Sequence, residues 1–466
     1  MIFEPILTRQ QYFTCLVISL SVLLVFIDVA QFWYLSEILL PLFFGYASNE
    51  STPWLALFAK YVAGPIAMPL GALLFGTIGD RHGRKVTLRI SCLGVAILTL
   101  LIGTLPTRSV LSDAAPIVLT SLRFFQGLFA GVMLPTCLVF ITEHFPTKRL
   151  GIGSGIILSS AISGLLIVSI YLNTLINTLT IAEIMSYGWR ILYCISGTVT
   201  LMLFFAIDRL KETPVFQRHH QPTTPPTFDD AAINAISLND SISDNLNIET
   251  KNRVDSQTAP ICQKLGRQLR IFGFSFLPNT MPSLILSVII ASLIIFIPIL
   301  LLPLIEIGFF VSPVVSRFGG MIGMLFMMIG CVFFGVMADL HNVGRVLMIG
   351  STFLIVNAVF FVYHLQSGGG FILVFFALLG FFSGLIGAIP SVIVRLFPTK
   401  IRLKGVTLSY ALSYASLAIT LPIAIRYLSL YIAFVPVLYV MFIGLVTLFV
   451  SFYVYYLPRT QADINR

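Results

Sequence analysis

The run GTIGDRHGRK, Gly76 to Lys85, sets Asp80, Arg81, His82, Arg84 and Lys85 between two long apolar stretches. Each stretch is long enough to cross a bilayer, which takes roughly 20 residues. Charges packed this densely belong at a membrane–water boundary, so the chain must turn back here. A related run, GVMADLHNVGR from Gly335 to Arg345, lies in the second half of the chain. FPTK also occurs twice, at Phe145–Lys148 and Phe397–Lys400, each time after an apolar stretch. Two halves carrying the same charged connectors predict a membrane protein built from repeats, the organisation of secondary transporters.

Composition agrees. Of 466 residues, 57% are hydrophobic and 10% charged, with a mean hydropathy of +0.97. Soluble domains carry about 25% charged residues, so the solvent for this chain is lipid. The formal net charge of +9 is spread over connectors with no aromatic-interleaved basic patch, which excludes nucleic acid as a partner. Of the cysteines, Cys15, Cys92, Cys137, Cys194 and Cys331 lie in apolar stretches and Cys262 in a polar one; none forms a CxxC pair, and they read as packing residues. No HExxH, GxSxG, Walker loop or metal-ligand cluster stands in the polar segments, so neither an enzyme nor a self-contained ATP-driven pump is expected. No cofactor is expected; a proton gradient would supply the driving force.

Apolar windows fall at 12–35, 54–77, 86–105, 116–142, 152–175 and 188–207, then at 282–304, 317–338, 346–364, 371–394, 405–425 and 430–456. The fold class is therefore an all-α polytopic membrane protein, with twelve transmembrane helices in two six-helix halves around a central cavity. Residues 1–210 form the first half, 211–275 a polar, largely disordered linker and 276–466 the second half. The linker is rich in Ser, Thr, Asn and Asp and buries too little apolar area to order itself; the sequence leaves open whether it tethers or regulates. Asn49-Glu50-Ser51 matches a glycosylation sequon, for which chance is explanation enough.

One set of connectors holds Arg81, Arg84, Lys85, Lys148, Arg149, Arg209, Lys211, Lys400, Arg402 and Lys404. The other holds chiefly Arg108, Asp113, Glu183 and Glu306. The positive-inside rule places the first set and both termini in the cytoplasm, of a bacterial inner membrane. The first apolar segment is too long for a signal-peptide core and is expected to remain as helix 1.

Charges within spans mark a pathway. Asp28, Lys60 and Arg123 all fall roughly 24–30 Å from the basic end at 1.5 Å per residue, so they can meet at one level. Asp28 is the candidate proton acceptor; Arg123 and Lys60 would hold an anionic substrate group, with Arg123 offering bidentate geometry. A permanent structural ion pair, with Lys60 snorkelling outward, is the plainer alternative. Gln126, three residues after Arg123, shares its face. The second half contributes little charge: helix 7 offers Ser287 and Ser292 and helix 10 offers Ser383, while Phe375 and Phe376 read as packing. The connectors read as a gate, formed by Gly76, Asp80, Arg81, Gly83, Arg84, Glu143, Arg149, Asp339 and Arg345. Recurrent glycines in the spans suit close, sliding helix contacts.

These residues resemble the major facilitator superfamily. Its connector motif stands here as Gly76, Asp80, Arg81, Gly83, Arg84 and Lys85, and its helix 4 motif as Arg123, Gln126, Gly127 and Gly131. PLGALLFGTIGDRHGRK, Glu143 with FPTKRLGIGSG, YGWRILY, RLKETPVF and LFPTKIRLKG are similar to the metabolite:proton symporter group, which includes proline/betaine, citrate, 2-oxoglutarate and shikimate carriers. The chain departs from that group at Val25-Phe26-Ile27 before Asp28, at Met68, and in having four residues between Asp339 and Gly344. The resemblance implies that Asp80 faces the start of helix 11 near Gly405. It also implies symport of a small carboxylate or zwitterion with a proton, by a protein working as a monomer. Proton-antiport efflux of apolar drugs and a transport-dead nutrient sensor are the other functions weighed.

Overall fold

A computed structural model describes residues 9–45, 52–146, 149–220, 280–309, 311–367 and 371–456. The sequon at 49–51, Lys148, Cys262 and linker residues 221–279 lie outside the described residues. The chain divides into two units, Met1–Phe216 with Met281–Arg466, and Gln217–Thr280. The first is the helical bundle.

Its spans are α1 (Arg9–Phe44), α2 (Thr52–Tyr61), α3 (Ala63–His82), α4 (Arg84–Thr104), α5 (Ala114–His144), α6 (Leu150–Thr178) and α7 (Ile181–Ile207). After the linker come α8 (Thr280–Glu306), α9 (Pro313–Leu340), α10 (Val343–Ser367), α11 (Ile372–Leu396), α12 (Arg402–Ser429) and α13 (Val435–Tyr456). Eleven of these are long and apolar enough to cross a membrane alone, and α2 with α3 make one further span bent by 46°. The bend corrects the unbroken helix expected over 54–77. Pro65, in the first turn of α3, has no N–H for the Tyr61 carbonyl and its ring crowds that carbonyl, so the helix breaks there. Two other expected boundaries also move: α1 runs nine residues past 35 to Phe44, and the last span starts at Val435 rather than 430.

The two halves repeat their packing. In the first, α3 lies on α5 and α4 on α7; in the second, α9 lies on α11 and α10 on α13. The halves meet through α6 on α9 and α12 on α3, two contacts that exchange when each span is advanced by six places. The cause is visible in the sequence. Glycines stand sixteen, nine and four residues before Asp80 (Gly64, Gly71, Gly76) and at the same distances before Asp339 (Gly323, Gly330, Gly335). Gly64 packs on the Gly127 backbone and Gly71 on that of Leu128, while Gly323 packs on Gly380 and Gly330 on Phe381. A Cβ at Gly71 or Gly330 would run into the facing carbonyl, so these crossings tolerate no side chain. The third glycine of each set meets the opposite half: Gly76 lies against Thr407 and Lys404, and Gly335 against Gly151.

Large apolar side chains such as Leu74, Met202 and Phe449 point outward, as lipid requires. Gln11, near the start of α1, donates to the His144 carbonyl, and Tyr455 meets Arg345 at the end of α13. Both described chain ends therefore lie at the end of the bundle that carries the basic connectors.

Candidate functional site

The first polar centre is buried midway along α1. Asp28 is 2% exposed, and its Oδ1 accepts from Thr99 Oγ1 of α4 at 2.5 Å, Gln126 Nε2 of α5 at 2.5 Å and Gln31 Nε2 at 3.2 Å. Its Oδ2 has no hydrogen-bond partner. Gln126 also donates to Thr99 at 3.1 Å, and its Oε1 accepts from Arg123 Nη1. The amide thus links cation to anion, with no direct ion pair between them. Arg123 is 6% exposed and stacks over the Phe32 ring, its guanidinium carbon 4.0 Å from the ring centroid; its Nε has no partner. A cavity between α1, α3, α5 and α12 is lined by Asp28, Arg123, Gln126, Trp33, Met68 and Tyr414, among others. Its free space is about 10 Å³, the scale of one water. Above it, Tyr34 donates to the Pro298 carbonyl at 2.6 Å, joining α1 to a stretch of α8 wound as π-helix. The centre is occluded.

Lys60 does not join this centre. Its electrostatic neighbours are Glu37 of α1 and Arg426 of α12. Glu37 is nine residues beyond Asp28, about 13 Å along the helix, so Lys60 belongs nearer the sparse end. The even depth expected for Asp28, Lys60 and Arg123 assumed a straight second span, and the bend before Ala63 removes that assumption.

The second polar centre lies at the basic end. Asp80 accepts from the backbone N–H groups of Leu403 (3.1 Å) and Lys404 (2.9 Å), the second and third residues of α12. Asp339 accepts from Gly151 (2.6 Å) and Ile152 (2.8 Å), the second and third residues of α6. Each aspartate thus caps a helix of the opposite half, where free N–H groups and the helix dipole favour an anion. Arg84, 2% exposed, bridges Glu143 at 3.2 Å, Asp80 at 3.6 Å and the Thr399 carbonyl at 2.9 Å. Arg402 meets the other face of Glu143 at 3.2 Å. In the second half the position matching Glu143 is Arg395, two residues before FPTK's phenylalanine. Arg395 and Arg149 act electrostatically on Asp339, so Arg149 belongs to the Asp339 cluster. Arg345 instead donates to the Tyr455 hydroxyl at 3.2 Å, and Arg81 is exposed outside either cluster.

Gly83 joins α3 to α4 at φ +112°, a conformation that favours glycine. Glu212 lies against it and accepts from the Lys85 N–H at 3.0 Å, while Phe216 stacks on Arg84 with 4.9 Å from guanidinium carbon to ring centroid. The opening of the expected linker therefore contributes two contacts to the connector.

Sequence reasoning missed Thr99, Gln31, Tyr414, Glu37 and Arg426. Thr99 had a signal: Thr87, Ser91 and Thr99 recur at multiples of four and form one buried face of α4. Of the hydroxyls in the second half, Ser292 pairs with Tyr439 at 3.0 Å and Ser383 with its own helix. Among the described residues no three His, Cys, Asp or Glu side chains come close enough to hold a metal ion.

Two repeated helical bundles, clasped by aspartate-capped helix ends around an occluded charged centre, have the architecture of a membrane transporter. The model of the Major Facilitator Superfamily matches residues 22–385, and the chain belongs to that family. Among curated proteins, "Putative transporter YdfJ" of Escherichia coli (strain K12) is 35% identical over 188 residues, 40% of this chain and 44% of that protein. "Putative proline/betaine transporter" of Staphylococcus aureus (strain COL) is 32% identical over 176 residues, 38% of each chain. These two matches thus span less than half of either relative. "Inner membrane metabolite transport protein YhjE" of E. coli (strain K12) is 26% identical over 419 residues, 88% of this chain and 85% of that one. The proton:xylose symporter XylE, solved with 6-bromo-6-deoxy-D-glucose, has a TM-score of 0.71 at 16% identity, covering 97% of both chains; that likeness shows the fold.

Proposed function

We propose that this protein is a proton-coupled symporter of a small carboxylate or zwitterion, working by alternating access as a monomer. The observation that carries this reading is the pair of unpartnered polar atoms in the wall of one occluded cavity, Asp28 Oδ2 and Arg123 Nε. Because Oδ1 already accepts three hydrogen bonds, an incoming proton belongs on Oδ2. The open edge of Arg123 suits a carboxylate. For a carboxylate, charge balance then couples the two ligands. Ionised Asp28 and Arg123 are neutral together; a bound carboxylate adds one negative charge at bilayer depth, and a proton on Asp28 removes it. A substrate ammonium group would rest on the faces of Trp33 and Tyr414, which line the same cavity. The names of the proline/betaine and metabolite-transport relatives support the same chemistry.

The positive-inside rule assigns the basic end to the cytoplasm of an inner membrane. Asp80, Arg84, Glu143, Asp339 and Arg402 then form the inner gate, closed in this structure and broken when the site opens inward. Uptake into proteoliposomes of labelled proline, glycine betaine, citrate, 2-oxoglutarate and shikimate, with and without an inward proton gradient, tests the reading. Gradient-stimulated uptake of one compound supports it. Failure of all five while dye is exported against a gradient overturns it in favour of antiport.

A further inference from the structure

A second cavity lies one step toward the basic end from the charged one. Along α5, Arg123, Gln126 and Ala130 line the first cavity and Pro135 and Leu138 the second. Along α12, Tyr414 lines the first, and Tyr410 and Val406 the second. The two spaces are therefore consecutive on two helices, offset by about 6 Å at the tyrosines, and what separates them there is the stacked pair Tyr410 and Tyr414 (5.8 Å between ring centroids, 28° between planes). Ile290 and Ser287 of α8 close the far wall.

That wall is apolar but for one group. Ser287 is 1% exposed and its hydroxyl has no partner. Among the described residues five buried serine hydroxyls in the spans have no partner, those of Ser19, Ser91, Ser283, Ser287 and Ser429, where Ser154, Ser160, Ser163 and Ser383 bond to the carbonyl four residues back. Of these five, Ser287 alone lines either cavity, which leaves its hydroxyl available to a polar atom arriving from outside the protein.

We infer that the second cavity, whose free space is about 10 Å³ while the basic end is closed, opens into a subsite for the apolar end of the transported molecule, whose charged head rests on Asp28 and Arg123, so that the substrate is amphipathic. The inference rests on the symport reading for the head group. The tail passes Tyr414 and lies along Tyr410, Ile290 and Val406, with Ser287 available to a polar atom near its end. A buried methylene contributes about fourfold in affinity.

Binding of a ladder of straight-chain 2-amino acids, from alanine through norleucine to 2-aminooctanoate, to the full-length protein in nanodiscs tests this by calorimetry. A parallel ladder runs from propionate to octanoate. Affinity should rise about fourfold per methylene to an optimum. Ile290→Phe should abolish the rise while leaving the shortest bound member within about twofold of wild type. Val406→Ala, a milder change, should move the optimum to a longer chain, and a terminal hydroxyl on the tail should help wild type but not Ser287→Ala. A flat ladder whose binding still requires Arg123 overturns the subsite and spares the symport reading. No binding by any member of either ladder also overturns the subsite, while the symport reading stands or falls on the uptake panel.

Discussion

One oxygen of Asp28 is saturated and the other bare, and this asymmetry makes a sharp prediction at the level of the single residue. Asp28→Asn retains an oxygen to accept from Thr99 and Gln126 but cannot take up and release a proton. In proteoliposomes it should lose gradient-driven accumulation by at least about tenfold while keeping substrate exchange; equal loss of both activities would assign Asp28 to structure alone. Asp28, Arg123 and Gln126 were legible in the sequence because polar groups in the bilayer are costly enough to stand out against apolar spans. Thr99 showed only through its alignment with Thr87 and Ser91, and Tyr414 not at all, since hydroxyls in spans commonly satisfy themselves on their own helix and carry little signal. Lys60 misled for a geometric reason. Depth counted along a helix holds only while the helix is straight, and the bend at the Tyr61–Ala63 break sends Lys60 toward Glu37 and Arg426.

Between helices, the repeated unit is a glycine-lined span ending in an aspartate that caps a helix of the other half. Each capping contact stabilises the closed basic end by about 1 kcal/mol, about fivefold in the balance of states. Asp80→Asn and Asp339→Asn should each raise the alkylation rate of a cysteine placed at Leu138, in the wall of the second cavity, by about that factor at unchanged abundance. If only one variant responds, the two contacts are not equivalent. Glu143→Gln should behave differently, because it leaves Arg84 and Arg402 buried without their shared anion. A loss of about 3 kcal/mol would appear as a lower melting midpoint in detergent, and a midpoint unchanged from wild type would deny the cluster its structural weight. The charged connectors announced these ends in the sequence. What could not be read there is which charges meet, Glu143 with Arg84 and Arg402 but Asp339 with Arg395 and Arg149, so that the two connectors are alike in their aspartates and unlike in their counter-charges.

For the molecule as a whole, the closed latch at the basic end and the Tyr34–Pro298 contact on the other side of Asp28 describe an occluded carrier. Twelve spans in two halves followed from apolar run length and repeated connectors, which bilayer thickness dictates. Bends and the opening of the linker did not, because they depend on tertiary partners: Glu212 and Phe216 hold the Gly83 connector from more than a hundred residues away. The central claim is that a proton and the substrate cross together. It is tested most directly by adding the substrate found in the uptake panel to lightly buffered proteoliposomes and following the external pH. Symport predicts that the medium turns alkaline as substrate enters, and that Asp28→Asn abolishes the change. Substrate entry with no proton movement, or with acidification of the medium, would contradict it.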